Sequence, residues 1–221
     1  MGISRLRLKM KEKKAAAHDR KRQPREPYDV VLIVCEGEKT EPYYLESFRN
    51  NLRLSNTNIR ICGRECGSAP ISVVNYALKE FHANKGGYNK VFCVFDKDKH
   101  ASYDEAIVKI TVTKLANGAT IHAITSIPCF EIWILLHFVY STRSFSAAGH
   151  DSNCTLVVRQ LKRHIADYEK GTQNIFEIVG DKTDVAIQRA KQLNEFHQTS
   201  GTDNPATKVH ELIEYLKNLK K

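Results

Sequence analysis

Three acidic side chains stand where hydrophobic runs end. Glu36 follows Asp29–Cys35, whose interior is uninterrupted Val, Leu and Ile, and Asp96 and Asp98 follow Lys90–Phe95. Continuous β-branched runs of this kind suit parallel strands buried on both faces. In open α/β sheets, ligands collect beyond the carboxyl ends of the strands. Neighbouring strands lie about 4.8 Å apart, so if these two are adjacent the three carboxylates converge. Clustered acids without basic partners repel one another, and hard oxygen donors with open positions suit Mg²⁺ or Mn²⁺. A lone Asp-x-Asp reads as an ordinary solvated turn; Glu36 at the matching end of another strand favours a site.

Other residues join this set by position. Glu131 comes three residues after Pro128, in the first turn of an expected helix just past the fourth strand. It falls at the same sheet edge, although favourable placement near a helix N-terminus would also account for it. Lys170 either stabilises a phosphate or complements a helix C-terminus. Lys97 and Lys99 either hold a phosphate backbone or are solvated turn residues. Trp133 and Leu136 read as core, and His137 as a hydrogen-bonded helix histidine.

The elements that must position these groups follow from pattern. Strands are expected over Asp29–Cys35, Asn58–Cys62, Lys90–Phe95 and Ala119–Thr125. Between them fall a helix through Arg53, one capped by Ser68 with Pro70 in its first turn, and one from Ser102 to the Asn117-Gly118 stop. That βαβαβαβ order predicts a Rossmannoid parallel sheet flanked by helices. Beyond it, helices are expected over Cys129–Tyr140, Thr155–Glu169, Val185–His197 and Ala206–Leu219, the last with Asn204 as cap and Pro205 at its first position. Ser141–Ser152, rich in small polar residues, reads as a mobile loop. The organisation is thus a basic arm (1–27), an α/β core (28–127) and a helical extension (128–221).

Composition bounds the function. The 221 residues carry a net charge of +9, yet residues 1–25 alone hold ten cations and two anions. The body is close to neutral. Arg5, Arg7, Lys9, Lys11, Lys13, Lys14, Lys21 and Arg22 make this arm a candidate polyanion contact, most often nucleic acid, with a solvated tail as the alternative. No apolar run reaches the ~18 residues of a membrane span, and the basic start lacks the apolar stretch of a secretory signal, so a soluble cytoplasmic protein is expected. The six cysteines read as small core residues of a reduced compartment rather than a disulfide frame. No HExxH, GxSxG or P-loop occurs, which sets aside zincins, serine hydrolases and P-loop ATPases.

Val34-Cys-Glu36-Gly37 together with Phe95-Asp96-Lys-Asp98 resembles the Toprim domain of topoisomerases, primases and OLD-family nucleases. Val34–Pro42, Pro128–Phe138 and Asn204–Thr207 with its helix resemble the RloB-like family, over about residues 29 to 219. The resemblance implies a Toprim-like fold with a C-terminal helical extension and an association with restriction or abortive-infection loci, often beside an AAA-type ATPase. It implies that Glu36 handles protons at the scissile phosphodiester or joins the metal shell. It further implies that Asp96 and Asp98 ligate Mg²⁺ or Mn²⁺, with Glu41 and Glu131 as the further acids of OLD-type sites. The expected function is a divalent-metal-dependent nuclease acting on DNA or RNA as an antiviral effector. A non-catalytic nucleic-acid-binding partner of an ATPase and a primase-like nucleotidyl transferase are the alternatives. Oligomeric state is left open, and the arm lies outside the resemblance.

Overall fold

Val31–Cys35 forms β1, and each of its five residues is fully buried, as a strand covered on both faces requires. The computed structural model describes residues 28–56, 58–97, 101–147 and 150–219. The cationic arm, Asp98 and Lys99 therefore lie outside the described residues. After β1 come α1 (Thr40–Asn51), β2 (Ile59–Cys62), α2 (Pro70–Ala83), β3 (Lys90–Asp96), α3 (Tyr103–Val112) and β4 (Thr120–Ile127). Then follow α4 (Glu131–Leu136), α5 (Asn153–Leu161), α6 (Ile175–Val179), α7 (Thr183–Ser200), β5 (Ala206–Thr207) and α8 (Val209–Asn218). The sheet order is β2-β1-β3-β4-β5; the first four strands are parallel and β5 is antiparallel to β4. This is the α/β architecture expected from the pattern, with helices on both faces.

The two faces bury different partners. One face of β1 and β3 (Leu32, Val34, Val91, Cys93, Phe95) packs on α2 and α3 through Val73, Val74, Ala77, Phe81 and Ala106. The other face shares a single core with α1 and all the C-terminal helices. At its centre Tyr44 meets Phe130, Trp133 and Phe176 edge-on at 5.5–6.2 Å. Trp133 is fully buried there. His137 lies beside it, donating Nδ1–H to the Trp133 carbonyl at 2.9 Å, and burial pushes its pKa down to about 4, so it is a neutral core residue.

Several sequence expectations are corrected. The helix over Cys129–Tyr140 shortens to Glu131–Leu136, and Arg189 donates to the Leu136 carbonyl near its end at 2.8 Å. α3 stops at Val112, so Asn117-Gly118 belong to a separate short turn. Ala69, not Ser68, precedes α2. Pro205 does not start the last helix: Ala206–Thr207 extend the sheet beside Ser126–Ile127, and α8 begins at Val209. Backbone pairing across the sheet outweighs the local Asn-Pro helix-start pattern. Ser141–Ala147 is anchored, because Asn204 bonds both the N–H and the C=O of Phe145 (3.2 and 2.9 Å) and Asn153 accepts from Ala147 N–H at 2.8 Å.

The cysteines also divide differently. Cys35, Cys62, Cys66 and Cys93 are free and buried, but Cys129 and Cys154 are disulfide-bonded, with Cα atoms 5.7 Å apart. Spacing alone could not show this, since Cys129, just before α4, and Cys154, in α5, are brought together by the packing of α5 on α4. The bond closes a loop of 25 residues' separation, a constraint on the unfolded chain of about 3 to 4 kcal/mol by the chain-entropy relation. A dithiol reductant should lower unfolding stability by that order in urea titrations, with two additional thiols counted by Ellman's reagent. An unchanged midpoint after both thiols appear would refute the constraint.

Candidate metal centre

Parallel pairing of β1 with β3 sets the geometry. Cys35 lies opposite Val94, and the Glu36 N–H extends the ladder to the Val94 carbonyl at 2.9 Å. Glu36 and Asp96 therefore leave adjacent strands at one level. Glu36 Oε2 accepts the backbone N–H of Asp96 at 3.0 Å. The third contributor arrives from β4, which pairs with β3 through Asp96↔Ser126 and hands the chain through Pro128 to α4, whose first residue is Glu131. The fourth, Glu41, sits in the first turn of α1.

These acids line one cleft of about 380 Å³, together with Gly37, Glu38, Lys39, Thr40, Ser68, Lys170 and Gly171. Five carboxylates face two ammonium groups there. Glu131 is 2 % exposed; Oε1 accepts from the Tyr168 hydroxyl at 3.2 Å and lies 3.7 Å from Lys170 Nζ, while Oε2 lies 3.4 Å from Cys154 Sγ. The Lys170 side chain is 60 % exposed and sits in a turn well past α5, so it complements no helix end. The Gly171 N–H donates to Thr40 Oγ1 at 2.9 Å, docking that turn on the start of α1. Gly171 has a φ of +86°, and a Cβ there would meet Lys39 Cδ at 2.9 Å, so glycine suits the position twice over.

The charge is poorly compensated, and the carboxyls respond. Burial, then the charges of Glu41, Glu131 and Glu36, hold Asp96 well above the usual carboxylate range. Burial, with Glu131 and Glu36 adding to it, pushes Glu41 up to about 7, against its own backbone hydrogen bond and Lys170, which lower it. Tyr168 is raised as well, first by burial and then by the Glu131 charge. The acids are spread round the cleft: among the described residues, the one set of three His, Cys, Asp or Glu side chains with atoms within 4.8 Å is Cys129, Glu131 and Cys154, whose two sulfurs are already joined in the disulfide. Carboxylates at such spacing suit a cation that keeps several waters, as Mg²⁺ does, better than a closed cage.

Gly37 explains part of the Glu-Gly pair. A Cβ at that position would stand 2.6 Å from Glu41 Cδ, so glycine makes room for the buried carboxyl. Gly37→Ala should push the Glu41 carboxyl out of the cleft and weaken divalent binding about tenfold or more, the scale seen when groups orienting a metal site are disturbed. Mn²⁺ titration by calorimetry or electron paramagnetic resonance would read this. Wild-type affinity in a folded variant would show that Glu41 does not face the ion.

Of the sequence candidates, Glu36, Glu41, Asp96, Glu131 and Lys170 meet in the cleft. Lys97 points elsewhere, ion-paired with Asp203 and 5.5 Å from the Tyr103 ring centroid. Asp98 and Lys99 lie outside the described residues. Tyr168 was missed, because nothing in a local pattern links it to a carboxylate 37 positions away. Glu38, by contrast, stands inside the Glu36–Pro42 motif and could have been read from it.

A mostly parallel five-stranded sheet with an acid-lined cleft at the carboxyl ends of β1 and β3 defines an α/β protein of Rossmannoid type. The family described as RloB-like protein matches residues 31–216, and the chain belongs to that family. No curated protein and no solved structure matches it.

Proposed function

We propose that this chain is a divalent-metal-dependent nuclease of the Toprim kind. The observation that carries the reading is the under-compensated cleft. Four buried or half-buried acids from β1, α1, β3 and α4 meet at the carboxyl edge of the sheet, and two of them are held above their ordinary pKa by burial and by one another. Hard oxygen donors in that state fit Mg²⁺ or Mn²⁺. A bound divalent cation offsets the charge that builds on the phosphate and the leaving oxygen when a phosphodiester is cleaved.

The residues divide the remaining work. Glu36, fixed through Oε2 by the Asp96 N–H, handles the proton at the scissile phosphodiester or joins the metal shell. Asp96 and Glu41 supply charge to the ion, with Asp98 as a further ligand from the sequence pattern. Glu131 is oriented by Tyr168, and Lys170 at the rim meets the phosphate. The arm at residues 1–25 adds sequence-independent attraction for the nucleic acid. The family resemblance extends the reading to an antiviral, abortive-infection effector in the cytoplasm, working beside an AAA-type ATPase. No helix among the described residues is long and apolar enough to cross a membrane.

Purified protein incubated with duplex DNA, single strands and tRNA should yield cut products in Mg²⁺ or Mn²⁺ and none in EDTA. Binding to these nucleic acids without cleavage in any metal would favour the alternative, a non-catalytic partner subunit.

A further inference from the structure

On the side of α5 away from the acids, three arginines line a second cleft. It measures about 280 Å³ and is bordered by Arg143, Arg159 and Arg163 with Ser144, Ser146 and Gln160. Among the described residues no carboxylate lines it. The nearest acid contact is Asp151, which accepts from Arg159 at 3.0 Å at the edge of the cleft. Arg143 and Arg163 are exposed. The wall is built rather than loose: Asn204 holds Phe145 by both backbone groups, and Asn153 holds Ala147. The backbone that carries the guanidinium forks is therefore an anchored strap for Arg143, α5 for Arg159 and the turn directly after α5 for Arg163, which leaves little backbone ordering for a ligand to impose.

We propose that this cleft binds the phosphate backbone of a nucleic-acid strand and positions it toward the acidic cleft; this rests on the nuclease reading for its purpose. Planar guanidinium groups match phosphate oxygens bidentately, and the two serine hydroxyls add neutral donors. Placement supports the link. α5 begins beside the acids, where Cys154 Sγ lies 3.4 Å from Glu131 Oε2, and Arg159 follows five residues on. Arg159 stands roughly 7 Å along the helix and about 140° round it from Cys154, so a strand that passes over α5 would meet both clefts. The mixed donors and the absence of an acid wall suit a repeating anion rather than an acidic peptide, whose side chains carry no fixed phosphate spacing.

The test measures binding of a labelled single-stranded oligonucleotide to the full chain in EDTA, across a salt series. For the double variant Arg143→Gln/Arg163→Gln, the slope of log K against log salt should flatten by about 1.4, giving roughly 25-fold weaker binding at ~0.1 M salt. Lys79→Gln/Lys114→Gln removes the same charge on the opposite face of the sheet and should leave the slope unchanged. Asp151→Asn frees Arg159 and should steepen the slope, an effect of opposite sign that damage to the fold would not produce. Equal slopes for the arginine variant and wild type, or no binding by wild type at all, would overturn the proposal. Because no metal is present, a protein that never cleaves but shows these slope changes would sink the nuclease reading and leave the arginine cleft standing.

Discussion

Asp96→Asn should reduce divalent-dependent cleavage by roughly 10³-fold while the protein stays folded. A carboxylate on a catalytic cation is worth several kcal/mol of charge stabilisation in the transition state, and each 1.36 kcal/mol is tenfold in rate. The amide keeps the shape of the side chain and the backbone N–H that holds Glu36 Oε2 at 3.0 Å. What it removes is the charge that Glu36, Glu41 and Glu131 push against. In metal-free buffer near neutral pH the variant should therefore melt no lower than wild type, and higher if repulsion dominates. Circular dichroism melts and gel-based cleavage in Mn²⁺ read the two halves independently. Cleavage at the wild-type rate would remove Asp96 from the chemistry, and with it the centre of the proposed site.

A second large effect is the dependence of stability on pH and metal together. Glu41 has an ordinary pKa of 4.5 and is held at about 7 in the folded protein. A carboxyl raised on folding binds its proton more tightly in the native state than in the unfolded chain. Its contribution is fully present below the unfolded pKa and is lost as pH climbs through the folded one. Between about pH 4.5 and 7 the metal-free protein should lose on the order of 3 kcal/mol from Glu41, with Asp96 adding in the same direction. Mn²⁺ favours the ionised carboxylates, so saturating metal should restore stability most strongly at the upper end of that window. Urea unfolding at several pH values, with Mn²⁺ or EDTA, measures both trends. Stability that rises with pH in EDTA would mean that the acids are already paired and that the cleft needs no cation.

The chain's own pattern determined a good deal of this. Val31–Cys35 and Lys90–Asp96 are apolar enough to be strands only where both faces are covered, and alternating crossover helices leave a parallel sheet as the economical arrangement. The acids at their ends then had to meet, and β1 does pair with β3. Glu131 was legible for the same reason, as the residue following the next strand. These are consequences of local periodicity and of chirality, which act over short stretches of chain.

Only the tertiary structure decided the rest. The Asn204-Pro205 pattern obeys the rules for starting a helix, yet Ala206–Thr207 pair with β4, because sheet hydrogen bonds at a buried edge outweigh a local preference. Ser141–Ala147 has the composition of a loose loop and is anchored by Asn204 from 59 positions away. Cys129 and Cys154 meet, Tyr168 reaches Glu131, and Arg143 joins Arg159 and Arg163 only because helices pack face to face. Local sequence carries propensity, whereas these contacts depend on which surfaces are buried against each other. That is set by the free energy of the whole core, shared here by β1, α1 and every C-terminal helix.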